Sequence, residues 1–139
     1  MKTIKSIIIT GMLATVIAAG CTGGGGVDLD GSQWLLVEIN GAPALPGSGA
    51  SLNFEGAQVN GKASCNSFFG EVKYGPGDAI SFDALGSTMM ACLEPEGLME
   101  QESAYLQALG DAVSFEVEGG TLKLMDGDGT VLLEFESLE

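Results

Sequence analysis

The stretch "VSFEVEGGTLKLMDGDGTVLLEFE" (113–136) constrains the fold more than any other part of the chain. Phe115 and Val117 alternate with Glu116 and Glu118, the period of a strand with one face buried and one face wet. Gly119-Gly120 supplies a two-residue hairpin turn. In "TLKLM" Leu122 and Leu124 share a face opposite Lys123, and after "DGDG" Val131, Leu133 and Phe135 point inward again. This is an antiparallel meander whose apolar face needs a cover.

The segment "EPEGLMEQESAYLQALGDA" (94–112) breaks the strand rhythm and supplies that cover. Leu98, Tyr105 and Leu109 stand at helical spacing, with Met99 and Leu106 alongside. Pro95, Glu94 and Glu96 suit a helix N-terminus, where the dipole favours negative charge, and Gly110 suits its end. Glu102 lies four residues after Leu98 and three before Tyr105, inside the apolar stripe. A carboxylate there either accepts hydrogen bonds from neighbouring backbone or shifts its pKa, and a structural anchor is expected over an active-site acid. Ahead of the helix, strands are expected at 32–40, 50–55, just after Gly56, 67–74 and 79–82, separated by Gly- and Pro-rich turns. The expected fold is α+β and mostly β: a curved antiparallel sheet packed on one α-helix near 96–110, in a single domain spanning 30–138.

The N-terminus has a different character. Lys2 and Lys5 precede an apolar run, residues 6–20, too short for a spanning helix, which needs roughly 20 apolar residues. Ala18, Ala19 and Gly20 then lead into Cys21, so residues 1–20 are expected to be a signal peptide. "IAAGC" resembles the lipobox of bacterial lipoproteins, with Ala18 where Leu is usual. That resemblance implies lipid attachment at Cys21, a Gly-rich tether over 21–29, and a membrane-anchored location in the cell envelope. Thr22 after the cysteine points to the outer membrane, facing the periplasm, in a Gram-negative cell.

Charge excludes some functions. Beyond the signal, Lys62, Lys73 and Lys123 face 19 acids, a formal charge of −16 with no Arg and no His. Nucleic-acid binding needs basic side chains on phosphates and is excluded, and adsorption of the domain onto anionic lipid is disfavoured. The acidic surface supports solubility; a basic partner is the lesser expectation, because the acids are scattered rather than clustered, and the domain is expected to be monomeric.

With Cys21 committed to lipid, Cys65 and Cys92 remain as an even pair in an exported chain, and a disulfide is expected. Zinc is disfavoured by two thiols and no His, so neither metal nor cofactor is expected. A redox-active pair stays open as the enzyme-like reading, since Cys92 lies just ahead of the helix, although the wide spacing is unlike a CxxC motif. "MDGDGT" (125–130) offers Asp126 and Asp128 but neither the remaining oxygen ligands nor the helical frame of a calcium loop; a hairpin turn is expected.

These residues together resemble the META domain family, that of the heat-shock lipoprotein HslJ. One family signature, Gly-x-x-x-Cys-Asn-x-x-x-Gly, is matched by Gly61, Cys65, Asn66 and Gly70. A second is matched by Thr88, Met90, Ala91, Cys92, Met99 and Glu102, and Trp34 fits the family's opening strand. The chain departs from the pattern at Ala63-Ser64, where Gly is common at the second position, a change expected to matter little. The resemblance implies a compact, exported and often lipid-anchored β-rich domain associated with heat-shock response, tolerance of certain antibiotics, motility or virulence, with no established enzymatic reaction. The leading expectation is therefore a non-enzymatic envelope protein acting through an unidentified protein partner. A binding or inhibitor module presenting loop 41–50 or turn 75–78 to an envelope enzyme is the second, and a thiol-redox protein using Cys65 and Cys92 the third.

Overall fold

A computed structural model describes residues 27–139. The proposed signal peptide, Cys21 and most of the tether lie outside the described residues. In chain order the elements are β1 (Gln33–Ile39), β2 (Ala42–Pro43), β3 (Ser51–Glu55), β4 (Gln58–Lys62), β5 (Ser67–Tyr74), β6 (Ile80–Ser87), α1 (Leu98–Asp111), β7 (Ser114–Glu118), β8 (Thr121–Met125) and β9 (Val131–Ser137). The strands form one antiparallel sheet in the order β6-β5-β4-β3-β1-β9-β8-β7, with β2 paired to β1 at its side.

Apart from that short side strand, neighbours in space are neighbours in the chain, and β1 and β9 close the round between first and last. The two outer strands touch at one point. Ala79 bridges Ser114, Ile80 N–H donates to Val113 O at 3.1 Å, and Phe115 N–H donates to Asp78 O at 3.0 Å. The sheet therefore curls into a trough, a half-barrel with α1 packed against it. The α+β expectation holds.

Period-2 alternation explains the C-terminal wall. Phe115, Leu124 and Leu133 form one cross-strand row, and Val117, Leu122 and Phe135 form the next. Leu122, Leu124, Leu133 and Phe135 are all fully buried, and each such side chain contributes roughly 1.5–3 kcal/mol by leaving water. The buried stripe of α1 contains Leu98, Tyr105, Ala108 and Leu109, as the helical spacing requires. Tyr105 joins the two walls: its ring meets Phe68 of β5 at 5.5 Å and Phe135 of β9 at 6.2 Å, both edge-on. Its hydroxyl donates to Ser51 O at 2.9 Å, which removes the cost of burying a phenol.

Three local differences from the pattern have physical causes. The helix begins at Leu98 rather than at the first acids, because Gly97 adopts a left-handed conformation (φ 88°) that ends the preceding loop. Strand β6 runs five residues beyond Phe82, to Ser87. The register of the β5–β6 pair shifts between Phe69 and Glu71, and Ala84 opposite has φ 52°, so a bulge hides the strand from any alternation count. Leu29, ahead of the expected domain start, is buried in the core, with Ser32 N–H bonded to its carbonyl at 3.0 Å.

Candidate functional site

The two sequence signatures converge on one junction, where the β4–β5 turn, the strap after β6 and the first turns of α1 meet. Gly61 lets β4 approach β3: a Cβ built there would collide with the Ser51 carbonyl oxygen. Gly70 faces β6, where a Cβ would stand 2.7 Å from a Leu85 methyl and 3.1 Å from the Asp83 carbonyl oxygen. Between them the chain turns through Ala63–Asn66, and Ala63 N–H bonds to Asn66 O at 2.7 Å.

Glu102 enters that turn from the helix. One carboxylate oxygen accepts from Cys65 N–H at 2.9 Å and Asn66 N–H at 2.7 Å, and the other accepts from the Asn66 side-chain amide at 2.7 Å. The turn's inward-pointing donors thus find their partner some 36 residues away, which is the anchoring role expected of a carboxylate in an apolar stripe. Asn66 then grips the strap. Its amide also donates to Met90 O at 3.0 Å, and its carbonyl oxygen accepts from Met90 N–H at 2.6 Å and from the Thr88 hydroxyl at 2.9 Å. Asn66 is 2% exposed, and its two donors and two acceptor positions are all engaged. Cys65 and Cys92 complete the junction as a disulfide with a Cα–Cα distance of 5.8 Å, within bonding range. Met99 lies beneath it, its sulfur 3.5 Å from Cys92 N. Among the described residues, no buried side-chain nitrogen or oxygen lacks a partner.

Trp34 alone among the signature residues lies elsewhere. It is buried in β1, its indole N–H donating to the Ser32 hydroxyl at 2.7 Å. Ala91 and Thr88 are exposed on the strap. Sequence reasoning missed Gln101 and Ser64. Gln101 is buried; it accepts from Leu45 N–H at 2.6 Å and donates to the Ser64 hydroxyl at 2.8 Å, tying loop 41–50 and the turn to α1. The available signal was the one that marked Glu102: Gln101 too is a polar residue inside the stripe, three after Leu98. Ser64 has φ 142°, a conformation that favours glycine. Serine is held there by the Gln101 hydrogen bond.

The other motifs resolve into turns and a cleft. Asp126 accepts from Asp128 N–H and Thr130 N–H, each at 2.9 Å, so "MDGDGT" is a turn organised by its own aspartate. Turn 75–78 borders a cleft of about 350 Å³ shared with Val27, Asp28, Leu29, Tyr74 and Phe115. Burial raises the Tyr74 phenol above its ordinary 10.0, with Asp28 and Asp30 adding to the effect. No group of His, Cys, Asp and Glu suited to a metal occurs among the described residues, and no described helix is long and apolar enough to cross a membrane.

The comparisons match this architecture. The family model for the META domain matches residues 27–139. A protein from Burkholderia xenovorans solved by NMR is 27% identical with a TM-score of 0.61, over 78% of this chain and 83% of that one. A second NMR structure shares 22% identity at a TM-score of 0.61, covering 78% of this chain and 90% of that one. A DUF4847 family protein from Bacteroides vulgatus shares the fold at 13% identity and a TM-score of 0.58, with 78% and 93% covered. No curated protein matches the sequence.

Proposed function

The chain belongs to the META domain family, and from that premise we propose that it is an exported, lipid-anchored envelope protein that supports envelope integrity or stress tolerance through protein contacts, without catalysing a reaction. One observation carries the non-enzymatic part. Every signature group able to do chemistry is engaged in holding the chain: Glu102 accepts three hydrogen bonds, Asn66 has no free valence, and Cys65 is bonded to Cys92. Such a junction rigidifies a surface. The anchoring part rests on the "IAAGC" sequence alone.

The experiment is to delete the gene and score survival under heat and antibiotic stress, then to complement with the wild-type protein and with Cys21→Ser. The wild type should restore survival and fractionate with membranes; Cys21→Ser should stay soluble and restore it poorly. Full rescue by the soluble variant removes the need for the anchor, and an unchanged deletion strain removes the stress role. The thiol-redox alternative has its own measurement, the reduction potential of the purified domain. A value below about −300 mV marks a structural bridge, and one near the potentials of disulfide oxidoreductases would restore the redox reading.

A further inference from the structure

The strap from Thr88 to Glu96 combines two properties that rarely meet. Its side chains face water: Met89 is 96% exposed, Leu93 88% and Met90 59%. Phe69, whose ring covers Gly86 two residues before the strap, is 60% exposed. Its backbone, by contrast, is fixed by the disulfide at Cys92 and by both Asn66 hydrogen bonds to Met90. The Asn66 network holds the turn 63–66 to α1, and together with the disulfide it fixes the exposed strap as well. Its ordering matters where a partner would otherwise have to bear the entropy of fixing it, which makes the strap a preorganised recognition surface. Exposed large apolar side chains along one strap, with Phe69 beside its start, mark such surfaces.

Charge and position select the occupant. Glu94 and Glu96 lie in the strap and Glu100 follows it, all exposed, and Glu71 lies two residues from Phe69 on the same face of β5. A second copy would bring the same acids and a like formal charge, and an anionic bilayer would be repelled. The chain also enters the domain at the far end of β5. Leu29 and Asp28 border the cleft with Tyr74, whereas the strap adjoins Ser67 through the Thr88 N–H to Ser67 O bond at 3.0 Å. Eight extended residues separate those ends by about 25 Å, so the strap is presented away from the point where a tether would join.

We infer that Met89, Met90, Leu93 and Phe69 are the contact surface for a protein partner whose apolar groove is rimmed with Lys or Arg. This deepens the protein-contact reading above and rests on it. The test is photocrosslinking in living cells, with benzoyl-phenylalanine in place of Met89 or Leu93 of the full chain. Gln107 and Glu118, exposed on other faces, serve as control positions. One protein adduct is expected from positions 89 and 93 and none from the controls, with the crosslinked peptide mapping to an apolar surface flanked by basic residues. Leu93→Ser, read from position 89, should lower its yield by about tenfold or more, as for a buried anchor in an interface. Glu94→Lys with Glu96→Lys should lower it as well. Because these side chains are solvent-exposed, an unchanged melting temperature for each variant excludes misfolding as the cause. Adducts from the controls alone would sink the strap assignment while leaving a protein-contact function standing. Adducts to lipid or to a second copy would overturn the named occupant, and no adduct at any position would sink both.

Discussion

The junction around Asn66 and the β7–β9 meander are held together by opposite means. In the meander, fully buried Leu122, Leu124, Leu133 and Phe135 face one another along three strands joined by short turns. Its stability comes from apolar area and short loops. At the junction the fixing interactions are polar, directional and distant in sequence: Glu102 to residues 65 and 66, Gln101 to Leu45 and Ser64, Asn66 to Thr88 and Met90. The contrast teaches a division of labour. Apolar rows tolerate rearrangement and specify a fold, whereas a closed hydrogen-bond network specifies one backbone path and fails sharply when one member is lost.

The sharpest way to break the comparison is Glu102→Ala, which leaves three donors unsatisfied at the junction. A loss of about 4 kcal/mol or more is expected in urea unfolding, at one to three per stranded donor. A loss near 1 kcal/mol would show that water or a neighbour can replace the carboxylate. Leu133→Ala in the meander should cost about 3 kcal/mol through lost transfer energy and the cavity left behind. The two substitutions should add in the double variant, because Leu133 takes no part in the Glu102 hydrogen-bond network, whereas Glu102→Ala and Asn66→Ala should fall well short of additivity. Reducing the Cys65–Cys92 bond, with a sequence separation of 27, should cost about 3 kcal/mol on the chain-entropy model. Hydrogen exchange should then open the strap and the 63–66 turn while leaving β7–β9 protected.

A pH experiment probes the residue that joins the two regions. Burial alone raises the Tyr105 phenol well above its ordinary 10.0. The unfolded chain releases that proton at about pH 10 and the folded chain holds it, so the stability is complete below that pH and declines above it. Melting temperature should fall between about pH 9 and 11 more steeply in the wild type than in Tyr105→Phe. That variant should also start about 1 kcal/mol lower, for want of the Ser51 hydrogen bond. The smallest effect belongs to Ser64→Gly, which relieves the φ 142° conformation but removes the Gln101 bond. A net change within about 1 kcal/mol is expected from terms of similar size.

The meander was legible because period 2 is written in adjacent residues: Leu122, Lys123 and Leu124 need no knowledge of the rest of the chain. Glu102 was legible for the opposite reason, as a charge where the helical period demanded an apolar residue. Gln101 carried the same signal and was passed over because an uncharged amide breaks a stripe less conspicuously. Ser64 could not be seen, since its role depends on a backbone angle fixed by contacts 37 residues away. The extension of β6 was hidden by Ala84, whose positive φ interrupts the alternation. The strap's exposure was equally silent, because nothing in the run Met89, Met90 and Leu93 marks these apolar residues as exposed.

The pairing of β1 with β9 has a consequence for how the molecule can be cut or copied. Leu138 N–H bonds to Gln33 O at 3.0 Å, so the end of β9 lies beside the start of β1. A truncation that removes β9 strips β1 and β8 of a neighbour together, and unzips the sheet in the middle rather than trimming its rim. The same adjacency makes the order of strands nearly circular. New termini opened at the Gly119-Gly120 turn, with the old ones joined by a short linker, would leave every ladder in place.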